Sequence, residues 1–262
     1  MPAGVFPPAE AEALFLPFMR DHAELFAGRR VLDIGSGTGV IALYAARLGA
    51  ASVVATDIDP AAIGAIRQNA EKLGLEGVVT ARLVPQQNPT AYSAIEPGEM
   101  FDLILSNPPY SLDLDATRST PLIDTGDLGF SIVRDLSRYL AEDGRAVLLY
   151  NSLFYHRLMV KLARHFGHDV RHHDAYGITT WELQALFDTS LRRVLEREGI
   201  DLGAFDFDDA ELPVLVRRGD DDRVDPLVDG RRGVYRGLIV IRRQAAASPL
   251  DDGGERPAGD GG

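Results

Sequence analysis

The chain of 262 residues is 45% hydrophobic and 25% charged, a balance that excludes a disordered or fibrous protein and suffices for one large domain with a small appendage. It contains no cysteine, which removes disulfides, thiolate metal sites and cysteine nucleophiles together. The net charge of -12 is concentrated: residues 201 to 230 hold ten acids against three arginines and the tail from 244 holds four acids against one, so the remainder is nearly neutral and charge does not exclude a nucleic-acid partner.

GVFPPAEAEALFLPFMRDHAELF reads as an extended segment followed by a helix from about Ala9, with Leu14, Phe15, Phe18 and Met19 on one stripe. LFLPFM is too short to cross a bilayer and no basic-then-apolar leader precedes it, so a cytoplasmic protein without a membrane partner is expected. A regular alternation follows. RRVLDIG (29 to 35), ASVVATDID (51 to 59), VVTARLV, FDLILS, RAVLLYN and HDVRHHDAY read as strands, with YRGLIVIRR as the last. Between them GVIALYAARLG, PAAIGAIRQNAEKLGL, GDLGFSIVRDLSRYLAEDG and LFYHRLMVKLARHFG read as helices. The predicted fold is α/β and Rossmann-like: a mostly parallel seven-stranded sheet with helices on both faces.

Residues 178 to 233 interrupt this rhythm before the last strand. A helix is predicted over 178 to 200, and the whole stretch is an insertion or lid. One domain therefore covers 1 to 243, with residues 1 to 28 as an N-terminal segment and helix. The Gly/Pro-rich tail, 244 to 262, is expected to be disordered.

Ligands in open parallel sheets bind beyond the carboxyl ends of the strands, at the point where strand order reverses. Three such ends carry unusual residues. DIGSGTG presents Asp33, Gly35, Gly37 and Gly39 in a turn that opens a helix, where glycines admit a ligand close to the backbone and free N–H groups favour an anion. Val40 stands where a nicotinamide-type fingerprint requires a third glycine, which counts against a dehydrogenase. Asp57, about twenty residues beyond the turn, ends the second strand and suits the two hydroxyls of a ribose. Finally, FDLILS runs into Asn107, Pro108, Pro109 and Tyr110, an unexpected choice if the strand merely had to stop.

Taken together, VLDIGSGTGVIALYAARLGAASVVATDIDPAAIGAIRQNAEKLGL and FDLILSNPPY resemble the class I S-adenosylmethionine-dependent methyltransferases with an Asn-Pro-Pro-Tyr motif after the fourth strand. The resemblance implies S-adenosyl-L-methionine as cofactor, held by Asp33, Gly35, Gly37, Gly39 and Asp57, with Asn107 facing it from the other side. Relatives place an acid after the third strand against the adenine; this chain offers Gln86, Gln87 and Asn88 there. For catalysis, the resemblance implies that the Asn107 side-chain oxygen and the Pro108 carbonyl each accept one N–H of a planar NH2 group. They thereby hold its nitrogen out of conjugation while Tyr110 stacks on the flat group. No metal is implied. His165, His168, His172 and His173 straddle a helix end and a strand without ligand geometry and read as structural or surface residues. Trp181 and Phe187 read as packing and the aspartates 220 to 222 as a solvated loop.

The acceptor is narrowed by GVFPPAEAEALFL, which resembles the N-terminal segment of the protein-glutamine methyltransferases that modify translation release factors, with Ala11 and Glu12 where those have Asp-Thr. The preferred partner is thus a protein glutamine, in a translation factor. Adenine N6 of RNA or DNA is the alternative, and a small amine or a non-catalytic cofactor-binding module are the others, since a planar NH2 is common to glutamine and adenine. Calorimetry is expected to show S-adenosylmethionine and its demethylated product binding, and no heat with NADH; equal affinity for NADH would refute the fingerprint argument.

Overall fold

The computed structural model describes residues 12–87, 89–108, 127–150, 153–176, 199, 216–218, 224–226 and 236–243. Helix α1 (Glu12–Asp21) and a short 3-10 turn (Ala23–Leu25) lead into β1 (Arg30–Ile34), α2 (Val40–Arg47), β2 (Ser52–Asp57), α3 (Pro60–Leu73), β3 (Val79–Leu83) and β4 (Phe101–Ser106). Then come α4 (Asp127–Arg134), α5 (Leu136–Tyr139), β5 (Leu140–Tyr150), α6 (Leu153–His165) and β6 (His168–Tyr176). Two short strands, β7 (Val216–Arg218) and β8 (Val224–Pro226), pair with each other, and β9 (Arg236–Arg243) is last.

Seven strands form one sheet in the order β3-β2-β1-β4-β5-β9-β6. The first five are parallel, and β9 runs antiparallel between β5 and β6. Strand order reverses between β1 and β4, so the crevice opens at their carboxyl ends. The sheet is seven-stranded and mostly parallel, as the alternating pattern implied. Apart from Gly199, the predicted helix over 178–200 lies outside the described residues, as does the tail from 244. The β7–β8 ribbon falls within the inserted stretch, where no strand was predicted.

The strands read as continuous apolar runs because both faces are covered. Alternate residues serve two cores. Leu32, Ile34, Val54, Ile104, Leu148 and Ile239 pack under Phe130 of α4, Leu136 of α5 and Met159 of α6. Val31, Val53, Leu103, Leu105 and Val147 pack under Phe15 and Met19 of α1, Leu43 of α2 and Ile66 of α3. Of the stripe predicted on α1, Phe15, Phe18 and Met19 are in the core, and the Leu14 side chain lies outside what is described.

Sequence pattern predicted one helix to Gly144 and a strand from Arg145. Instead helix geometry breaks at Asp135 and ends at Tyr139, and β5 begins at Leu140. Phe101 pairs with Leu140 but Leu103 pairs with Arg145, so residues 141–144 bulge out of the ladder. Gly144 permits the bulge: a Cβ there would stand 2.7 Å from Leu140 Cδ1 and 2.9 Å from the Ala141 carbonyl. At the opposite end of the sheet from the crevice, Asp102 of β4 accepts the Arg30 backbone N–H at 2.8 Å and both Nε and Nη2 of its guanidinium. This clasp fixes β1 against β4, and the Arg30 hydrogen bond holds the Asp102 carboxyl below its ordinary range.

One buried group works against the fold at low pH. His168 opens β6, is 5% exposed, and lies in register with Arg243. Among the described residues neither ring nitrogen makes a well-formed hydrogen bond, and only the Val133 backbone approaches the ring loosely. Burial, and then the Arg243 charge, hold its pKa below the ordinary 6.5, with the Val133 backbone opposing weakly. The folded protein therefore binds fewer protons here than the unfolded chain, so its stability is complete above pH 6.5 and falls as pH drops below it. Urea midpoints should fall between pH 7.5 and 5.5 in the wild type and fall less in His168→Leu. Parallel losses in both would assign the pH dependence to other groups.

Candidate active site

Three neighbouring strand ends build the crevice. At the end of β1, Gly35, Gly37 and Gly39 all have positive φ, of 71°, 56° and 86°. Only glycine takes this conformation repeatedly without strain, so the turn folds as it does because these three residues lack a Cβ. Their surroundings differ. A Cβ on Gly39 would stand 3.1 Å from Ile66 Cγ1 of α3, whereas one on Gly35 or Gly37 would meet nothing within 4 Å. Gly39 thus allows close packing of the turn on α3, and the other two leave open space above the turn.

Hydrogen bonds brace the turn from below. The N–H groups of Gly35 and Ser36 both donate to the Thr56 carbonyl of β2 at 2.9 Å. Asp33, fully buried on the α2 side of β1, accepts the Ser36 hydroxyl at 2.5 Å and the Ala42 N–H at 3.1 Å through Oδ2. Its carboxyl sits at the N-terminus of α2, where the helix dipole favours a negative charge. Val40 and Ile41 open that helix, so their N–H groups have no intrahelical acceptor.

Asp57, at the end of β2, accepts the Gly37 N–H at 2.8 Å through Oδ2 and the Asp59 N–H at 2.9 Å through Oδ1. Burial raises its pKa, while these two backbone bonds pull the other way and the nearby Asp59 charge adds to the rise. The Ile58 backbone N–H also leans on this carboxylate, whose two oxygens together have four lone-pair sites and so can still accept further hydrogen bonds. Asp59 in turn caps α3, accepting the Ala61 N–H at 2.8 Å, and Asn69 of α3 donates to the Thr38 carbonyl at 3.0 Å.

Beyond β4, the Ser106 hydroxyl donates to the Ile34 carbonyl at 2.9 Å, drawing the ends of β1 and β4 together. Asn107, partly buried, and Pro108, buried, follow at once. Asp33, the three glycines, Asp57, Asn107 and Pro108 therefore share one rim of the sheet, and Tyr110 lies outside the described residues. Sequence reasoning missed Ser36, Thr56, Asn69 and Ser106. Two left a signal: Ser106 is polar at the end of an apolar run, and Asn69 is a poor helix former inside a helix. Among the described residues no group of three or more His, Asp or Glu could hold a metal, and no helix is long and apolar enough to cross a membrane.

Residues 3–178 match the family model of the methyltransferase small domain. The chain belongs to that family. It is 40% identical over 131 residues to the release factor glutamine methyltransferase of Xylella fastidiosa strain Temecula1, covering 49% of this chain and 42% of that protein. It is 41% identical over 87 residues to the ribosomal protein L11 methyltransferase of Pseudomonas paraeruginosa, covering 33% and 26%. The chain spans less than half the length of the curated relatives it matches. Among solved structures, precorrin-6y C5,15-methyltransferase from Geobacter metallireducens shares the fold, with a TM-score of 0.52 at 15% identity over 93% of this chain and 92% of that one.

S-adenosyl-L-methionine is the cofactor of this family, and the residues present fit it. The space over Gly35 and Gly37 is a cradle that side chains would fill, the first turn of α2 offers N–H groups, and Asp57 is an acceptor placed for hydroxyls at the end of β2. Alanine at two of the glycines should separate stability from binding. Gly39→Ala adds a close contact with buried Ile66 to its backbone strain and should destabilise by about 2–3 kcal/mol in urea unfolding. Gly35→Ala should be milder, about 1–2 kcal/mol, yet place a methyl in the cradle and weaken S-adenosylhomocysteine binding. The opposite ranking of the two unfolding costs would mean that Ile66 does not constrain the turn.

Proposed function

We propose that the chain transfers a methyl group to the nitrogen of a planar NH2, and that its acceptor is a glutamine side chain of a protein, a translation factor by class. The observation that carries this reading is Asn107–Pro108 directly beyond β4, tied by Ser106 to the end of β1 and so beside the glycine turn. When bound, S-adenosylmethionine supplies an electrophilic methyl on a sulfonium. The protein's contribution is positional and electrostatic. The Asn107 side-chain oxygen and the Pro108 carbonyl each accept an N–H of the acceptor, turning its lone pair out of conjugation and stabilising the positive charge that develops on nitrogen. Tyr110 stacks on the flat group. Asp57 holds the ribose and Gly35, Gly37 and Gly39 admit the amino-acid end, while Asp33 acts by holding the turn itself. Leu83 ends β3 in register with Asp57 and is 46% exposed, an apolar surface suited to a purine where no acid is available at 86–88.

A protein acceptor is supported by the relatives, since both kinds are named for protein substrates. Glutamine is supported by the longer match, 131 residues against 87. Transfer of a labelled methyl group to a cell extract tests the acceptor. Label is expected in the protein fraction, and acid hydrolysis should release it as methylamine, because an N-methylated side-chain amide hydrolyses to that product. Label in nucleic acid would favour adenine, and label surviving hydrolysis as a methylated amino acid would exclude the amide.

The division of roles has its own test. Asn107→Ala should leave the cofactor dissociation constant nearly unchanged and lower the single-turnover rate by on the order of a hundredfold. Asp57→Ala should do the reverse, because a ribose contact is made equally in ground and transition states. Full turnover in Asn107→Ala would reduce the residue to a strand terminator.

A further inference from the structure

Asn69 sits at a position that local preference does not explain. It lies in the third turn of α3, where asparagine is a poor helix former because its amide competes for backbone groups. Its Nδ2 instead leaves the helix and donates to the Thr38 carbonyl at 3.0 Å, 31 residues earlier in the chain. The N–H of the same peptide unit, that of Gly39, donates to the Ser36 carbonyl at 2.8 Å. Both polar ends of the Thr38–Gly39 peptide are therefore held, and its plane is fixed where the glycine turn enters α2. Two residues before it, the Gly37 N–H is held by Asp57.

A single helix governs both sides of this arrangement. Asp59 caps α3 and donates its N–H to Asp57 Oδ1, so the start of α3 positions the ribose-facing acid. Asn69 is ten residues on, about 15 Å along the axis. Ile66, one turn before it, is the side chain against which Gly39 packs. The helix thus acts as a rigid spacer between Asp57 and the apex of the turn.

We propose that Asn69 is a positioning residue that sets the glycine turn relative to Asp57, so that the amino-acid and ribose ends of the cofactor are engaged together. The inference rests on the cofactor reading above and adds a consequence specific to one part of the ligand. Without the Asn69 donor the Thr38–Gly39 peptide is held only at its Gly39 N–H, by the Ser36 carbonyl, and the turn loses part of its fit to the amino-acid end. Asp57, held by its own backbone bonds to Gly37 and Asp59, keeps its grip on the ribose. Asn69 acts through the Thr38 carbonyl and touches no ligand itself.

Calorimetry with S-adenosylhomocysteine and with adenosine, which lacks the amino-acid end, separates this role from plain stabilisation. In Asn69→Ala, S-adenosylhomocysteine should bind roughly three- to tenfold more weakly, the scale of one hydrogen bond. Adenosine affinity should change less than about twofold, and the ligand-free melting temperature should stay close to wild type because alanine is the better helix former. Asn69→Asp, isosteric but facing the carbonyl with a carboxylate oxygen, should lose more affinity for S-adenosylhomocysteine and again spare adenosine. Equal losses for both ligands in either variant would make Asn69 a structural tie only and overturn the proposal, as would unchanged S-adenosylhomocysteine affinity in both. Wild-type protein that bound neither ligand would instead overturn the cofactor reading, and this inference with it.

Discussion

A carboxylate with no exposure, Asp33, is the constraint on which the crevice depends. It stands at the end of β1 among apolar neighbours, where an unpaired charge would cost several kcal/mol or more. It is tolerated because it meets the N-terminus of α2: the Ala42 N–H and the Ser36 hydroxyl both donate to Oδ2, and such charge-assisted bonds are stronger than neutral ones. The price of burying it is recovered only if the chain between Ile34 and Ala42 turns back sharply. That turn requires positive φ at Gly35, Gly37 and Gly39, so the acid and the glycines presuppose each other. The turn is then held from outside by Thr56, Asp57 and Asn69, which come from the next strand and the next helix.

The two ends of the central strands are fixed by different chemistry. At the far end, Arg30 and Asp102 pair through three hydrogen bonds, one of them from backbone, and set the register of β1 against β4. At the crevice, a single hydroxyl from Ser106 reaches the Ile34 carbonyl, with no charge involved. A charged clasp there would put a strong local field beside the glycine turn, Asp57 and Asn107. A neutral one brings Asn107 to the rim without imposing such a field.

Much of this was legible in the sequence, for reasons that particular residues make clear. The strands announced themselves as short apolar runs because both faces of the sheet are buried, and the glycine turn and Asp57 stand out because repeated positive φ and an acid at a strand end call for unusual residues at fixed spacing. What sequence could not give are features decided by partners far along the chain. The insertion of β9 between β5 and β6 is one, since nothing local in RGLIVIRR names its neighbours. The early end of α5 is another: LSRYLAEDG has good helix formers, and pairing of Leu140 with Phe101 overrides them. Asn69 shows the reverse, a residue whose poor local fit was visible while its partner, Thr38, was not.

The crevice divides its labour between elements that can vary separately. β1, β2, α2 and α3 carry the groups assigned to the cofactor, and all are tied to one another by hydrogen bonds that leave little freedom. β4 carries Asn107 and Pro108 and joins this frame through Ser106. Because a planar NH2 offers the same two N–H groups on glutamine as on adenine, the role proposed for Asn107 and Pro108 would set the kind of nitrogen and leave the identity of the molecule open. Selectivity then has to come from surfaces outside the braced frame, where sequence changes do not disturb the turn or Asp57. A fold built this way can keep one cofactor geometry while changing acceptors, in keeping with relatives named for different proteins that match only part of this chain.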